Sequence, residues 1–163
     1  MVRRWAALGA VGVIVVVGSL AALGVRAGAE QGEALRVSWV RPVGGPVVEP
    51  FRPPSTPYGP GHRGVTFAVE PGTPVHAAGA GVVTFVGTIA DVTWVVVGHA
   101  GGLRTTYGYL ATTAVATGDP VAPGHVIGTV GPAGRCYFGL RRGATYLDPM
   151  RLFRPRIRLV RPR

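Results

Sequence analysis

The chain has 163 residues, 17 arginines with no lysine, seven carboxylates and a formal net charge of +10. Its single cysteine, Cys136, excludes any intramolecular disulfide. The charge would suit nucleic acid, but no aromatic–basic platform accompanies it and the amino terminus reads as an export segment, so that partner class is set aside.

Arg3 and Arg4 precede an uncharged run from Ala6 to Val25, followed by Ala27-Gly28-Ala29. A basic start, an apolar stretch and a small-x-small site describe a secretory signal over residues 1–29, cleaved after Ala29. The same run of 20 residues is long enough to cross a bilayer as a retained helical anchor. Gly9, Gly12, Gly18 and Gly24 weaken it in that role. In both cases the arginines before the span favour an N-in orientation, which exports the rest of the chain as a secreted or membrane-anchored protein. Beyond residue 29, fourteen arginines face seven carboxylates, and six of those arginines fall between Arg151 and Arg163. That basic end suits anionic wall polymers and lipid headgroups, or is a solvated tail.

Residues 30–49 form a Pro-rich lead-in, and prolines from Pro42 to Pro60 exclude a long helix. Leu35–Val40 and Val47–Phe51 are short strand candidates. From there the pattern is strand and turn: Val65–Val69, Pro74–Ala77, Gly81–Val86, Thr93–Val97, Leu103–Tyr109 and His125–Val130 are β-branched or aromatic runs. Glu70-Pro71-Gly72, Gly79-Ala80-Gly81, Ala100-Gly101-Gly102, Thr117-Gly118-Asp119-Pro120 and Pro132-Ala133-Gly134 bound them. This spacing predicts an all-β domain over residues 50–153, a compact antiparallel sandwich or half-barrel, followed by an Arg-rich tail over 154–163. No window downstream of the export segment has helical periodicity, and there is no internal repeat.

The chemistry-bearing segments come in a fixed order. Gly61-His62-Arg63-Gly64-Val65 is followed by Pro71-Gly72-Thr73-Pro74-Val75 and Gly79-Ala80-Gly81-Val82-Val83. Then come Val95-Val96-Val97-Gly98-His99, Tyr107-Gly108-Tyr109-Leu110, Gly118-Asp119-Pro120-Val121, Ile127-Gly128-Thr129-Val130-Gly131 and Tyr137-Phe138-Gly139-Leu140-Arg141-Arg142-Gly143. Over residues 50–153 this order resembles the lysostaphin-type (LytM-like) peptidoglycan zinc endopeptidases, most closely a short actinobacterial branch with Tyr146-Leu147-Asp148-Pro149 after the last strand. The resemblance implies a β fold with a groove holding one zinc. Its ligands are a His and an Asp from H-x-G-x-D and a His from a late H-x-H strand, with water in the fourth position.

Carried over by position, His62 matches the first ligand, Thr66 stands at the Asp, Tyr137 at the late ligand His and Arg135 at its companion His. Tyr109 stands at a further family histidine. A threonine hydroxyl is a poor zinc ligand, tyrosine needs its ordinary pKa near ~10 strongly perturbed, and Arg135 brings a repelling charge. Cys136 is a suitable ligand type but alternates to the far side of its strand. His76, His99 and His125 lie where the family places no metal ligand. Glu70, Asp91, Asp119 and Asp148 sit at turns, with no pair spaced for acid–base work.

The reading is a pseudoenzyme: no cofactor is expected where active relatives hold zinc, and the retained groove binds peptidoglycan, an anionic wall polymer, or a wall hydrolase or other envelope protein that it regulates. Arg63, Arg104, Arg135, Arg141 and Arg142 are the candidate groove cations, suited to stem-peptide carboxylates. Two alternatives stay open: an active zinc endopeptidase with an atypical ligand set, and an electrostatic envelope binder acting through the Arg-rich tail.

Overall fold

The computed structural model of the protein describes residues 38–56 and 59–154. The expected signal or anchor helix, the lead-in up to residue 37 and the Arg-rich tail from 155 lie outside the described residues.

Ten strands occur among the described residues: β1 (Val47–Glu49), β2 (Gly64–Ala68), β3 (Pro74–His76), β4 (Gly81–Ile89), β5 (Val92–Gly98), β6 (Leu103–Thr113), β7 (Pro120–Val121), β8 (Val126–Val130), β9 (Arg135–Arg142) and β10 (Thr145–Leu147). All pair antiparallel, in the order β1-β2-β9-β6-β5-β4-β7, with β10 added to β9 and the β3–β8 pair joined through β6. The all-β antiparallel class expected from the turn spacing is the one observed. Residues 38–40, the described part of the first strand candidate, are not strand; Val40 N–H instead donates to the Ala78 carbonyl at 2.9 Å. β4 and β6 run past their expected ends. β4 continues because Ala90 (φ 48°) and Asp91 (φ 61°) both adopt left-handed backbone, which makes a two-residue hairpin turn into β5.

Strand alternation separates two faces. Val65, Phe67, Val95, Val97, Tyr107 and Phe138 are all within 1% of complete burial, in one cluster with Val75 of β3 and Ile127 of β8. The alternate residues of β2, β9, β6 and β5 form the other face, which carries the site. After Asp148, whose carboxylate caps the Met150 N–H at 3.0 Å, a 3-10 turn over Pro149–Phe153 sets Phe153 against Phe138 with ring centroids 5.9 Å apart.

β6 has two partners along one flank. Leu103–Gly108 pairs with β9 and Leu110–Thr113 with β8. Between the two lies Tyr109, an extra residue in the ladder: Trp94 opposes Gly108 while Thr93 opposes Leu110. Tyr109 has φ +64°, and its carbonyl accepts from Gly131 N–H at 2.8 Å, in the turn that leads into Arg135.

Candidate functional site

Opposed residues in an antiparallel ladder project to the same side. The register runs Glu49↔Thr66, Thr66↔Tyr137, Tyr137↔Gly108 and Gly108↔Trp94, so one row crosses β1, β2, β9, β6 and β5. Glycines let its rings lie down on the sheet. A Cβ on Gly108 would sit 2.3 Å from the Trp94 indole, and one on Gly64 or Gly139 would sit 2.6 or 3.0 Å from the Tyr137 ring. Trp94 then meets Tyr137 edge-on at 5.5 Å and lies tilted against Tyr109 at 6.1 Å.

His62 enters at the end of this row, its ring edge-on to Tyr137 at 5.6 Å. Its Nδ1 faces the Pro50 carbonyl at 3.2 Å, which orients the ring. Its Nε2 faces Thr66 Oγ1 at 3.2 Å and Glu49 Oε2 at 3.3 Å, and the Thr66 hydroxyl donates to the same Glu49 oxygen at 3.1 Å. Glu49 is the residue that reading by sequence missed. It lies seventeen positions before Thr66, and only the pairing of β1 to β2 brings its carboxylate to the imidazole. Trp94 lies within a strand-forming run, and nothing in the sequence marks it for a place in the site.

The donors present do not fit zinc. One imidazole and one carboxylate converge, whereas a catalytic zinc takes three protein ligands plus water. Burial pushes the Tyr137 phenol up to about 12, with Tyr146 adding to the shift and Arg63 opposing it, so its oxygen stays protonated near neutral pH. Cys136 is fully buried on the opposite face, and burial raises its thiol to about 12 as well. Among the described residues no three His, Cys, Asp or Glu side chains gather into a metal-binding group. Thr66 beside an imidazole does not make a nucleophile either, because its hydroxyl proton is directed to Glu49 and the residue is 2% exposed.

The candidate arginines divide by strand parity. Arg135, Arg141 and Arg104 share the face of Tyr137, Arg141 opposing Arg104 across β9 and β6. Arg135 stacks its guanidinium on Tyr109 at 5.0 Å, and Arg63 does so on Tyr146 at 5.5 Å. Arg142 differs from the expectation: one residue past Arg141, it alternates to the other side of β9. The remaining histidines serve the backbone and core. His76 Nδ1 lies 2.9 Å from the Gly124 carbonyl, and His125 is exposed in the turn before β8. His99 joins a relay that runs into the core: Nδ1 faces the Ala80 carbonyl at 2.8 Å, Nε2 faces Thr105 Oγ1 at 2.7 Å, the Thr105 hydroxyl donates to the Tyr107 hydroxyl at 2.9 Å, and the Ala78 N–H donates to the same Tyr107 oxygen at 2.7 Å. Burial lowers the His99 pKa, against the opposing pull of the Ala80 carbonyl.

Residues 60–149, more than half of the chain, match Peptidase family M23. The chain belongs to that family. An uncharacterized protein of Mycobacterium tuberculosis is 39% identical over 119 residues, covering 66% of this chain and 47% of its own. The Escherichia coli lipoprotein YgeR is 33% identical over 123 residues, covering 72% of this chain and 47% of its own. This chain thus spans just under half the length of these relatives. A Pseudomonas aeruginosa structure assigned to peptidase M23 superposes with a TM-score of 0.62 at 29% identity, over 72% of this chain and 51% of that one. The family resemblance carried by the ordered motifs is the relationship found, and its fold is the one observed.

Proposed function

We propose that this M23-family protein is a non-catalytic envelope module that binds peptidoglycan through its groove. The observation that carries the reading is the row itself. Where active relatives place an Asp and a His, this chain places Thr66, which donates to Glu49, and Tyr137, whose phenol stays protonated. Among the described residues Glu49 is the one carboxylate beside Nε2 of His62, which makes two donors where a catalytic zinc takes three. An exported location belongs to this reading. It is supported by the basic and apolar amino-terminal segment and by the lipoprotein description of YgeR.

The test has two parts, both on the full chain. Competition against a chromogenic zinc chelator near neutral pH should show no stoichiometric uptake. Incubation with purified cell-wall sacculi should show the protein in the pellet and no release of new free amines. Stoichiometric zinc uptake together with amine release would overturn the reading in favour of an active endopeptidase that uses Glu49 with His62. Failure to sediment with sacculi would remove the binding half of it.

A further inference from the structure

The face that would frame a metal in active relatives is here an aromatic face with a cation at one end. Trp94, Tyr109 and Tyr137 form one connected ring cluster on the glycine floor. Arg135 stands on Tyr109, solvent-exposed and with no carboxylate partner among the described residues. Glu49, with a half-exposed carboxylate, stands toward the other end of the row beside His62.

The backbone at Tyr109 points independently to a ligand role. A tyrosine at φ +64° within a strand is an outlier for a bulky residue. Bulges of this kind re-aim a side chain. Here the bulge coincides with the changeover of β6 from β9 to β8 and turns the Tyr109 ring to Trp94 and to the Arg135 guanidinium. Core packing does not call for that position, since Tyr109 is only partly buried.

What would such a face hold? Peptides commonly bind sheets by adding to an open edge and using main-chain hydrogen bonds. The strands beneath this face, β2, β9, β6 and β5, are interior, each with a neighbour on both sides, so none of them offers an open edge. A ligand meets side chains only: ring faces, a phenol, a carboxylate and a guanidinium. An ammonium ligand is disfavoured because a guanidinium already stands on the Tyr109 face and would repel it. A rigid pyranose fits better, with its C–H face against the rings and its hydroxyls toward Tyr137 and Glu49. Arg135 then selects a sugar that bears a carboxylate.

We propose that the Trp94–Tyr109–Arg135 face binds a carboxylate-bearing pyranose of wall glycan from which the stem peptide has been removed, where the lactyl carboxylate is free, rather than a stem peptide; this rests on the non-catalytic reading above. The test is calorimetric titration of the full chain with three probes: N-acetylmuramic acid, N-acetylglucosamine, which lacks the carboxylate, and a free wall tetrapeptide. N-acetylmuramic acid should bind at least about tenfold more tightly than N-acetylglucosamine, the size of one charge-assisted bond. Arg135→Gln, at an exposed position, should erase the difference between the two sugars. Tyr109→Asn, which tolerates left-handed backbone, should weaken N-acetylmuramic acid binding while leaving the unfolding midpoint in place or higher. Equal affinity for the two sugars, or Arg135-dependent binding of the tetrapeptide in place of sugar, would overturn the proposal. If sacculi are retained but no sugar binds, the glycan assignment fails and groove binding stands; if sacculi are not retained, the underlying reading fails as well.

Discussion

Gly108→Ala sets two effects of opposite sign against each other. Alanine is the better strand residue, and removing a glycine from a strand interior gains about 0.5–1 kcal/mol. The added methyl, however, would stand 2.3, 2.6 and 2.9 Å from three atoms of the Trp94 indole. A flexible side-chain tip could swing aside, but an indole moves as a rigid plate, and its exits are lined by Tyr137 at 5.5 Å and Tyr109 at 6.1 Å. Over-packing of this kind costs about 1–3 kcal/mol, so the expected net effect is a loss of about 1–2 kcal/mol. It should appear in urea unfolding as a lower midpoint with an unchanged slope. The displaced indole should also reduce retention on sacculi. A stabilised variant, by the 0.5–1 kcal/mol of the propensity alone, would mean that the indole has free room and would refute the glycine-floor account of the site.

Three further outcomes follow from the same geometry. Thr66→Asp with Tyr137→His should yield chelator-competitive zinc uptake, because the new carboxylate and imidazole join His62 and Glu49, whose Oε2 lies 3.1 Å from the present Thr66 Oγ1; no uptake by this variant would contradict the residue types at Thr66 and Tyr137 as the reason for the missing ligand set. Tyr107→Phe removes the hydroxyl of a fully buried side chain and leaves the Ala78 N–H without its acceptor; a loss of about 1–3 kcal/mol in urea unfolding is expected, and a change within about 0.5 kcal/mol would show that the relay carries no stability. Because burial holds His99 below its ordinary value of 6.5, the unfolded chain takes up this proton first as pH falls. The contribution of His99 is therefore intact above that value and is lost as pH drops through it toward the lower folded pKa, at no more than about 1.4 kcal/mol per pH unit. His99→Gln should flatten that part of the unfolding profile, and an identical slope in the variant would assign the dependence to other groups.

Much of this protein is local in origin and so legible along the chain. Alternating β-branched runs between Gly- and Pro-containing turns define strands, because side chains of period two have only one way to bury a face. The same alternation by itself sends Cys136 into the core and away from Tyr137. The identities of Thr66 and Tyr137 at their motif positions are likewise read directly from the chain. What the chain did not disclose was which groups surround them. Glu49 reaches His62 only because β1 pairs with β2 in one particular register, and such long-range pairing has no local signature. Trp94 joins the site because Gly108, on the neighbouring strand, leaves room for its ring. Tyr109 turns toward Arg135 because β6 exchanges β9 for β8 at that residue. Residue types and periodicity determined the fold class; registers, bulges and the space left by glycines, which are properties of strands already assembled, decided which side chains share the face of His62.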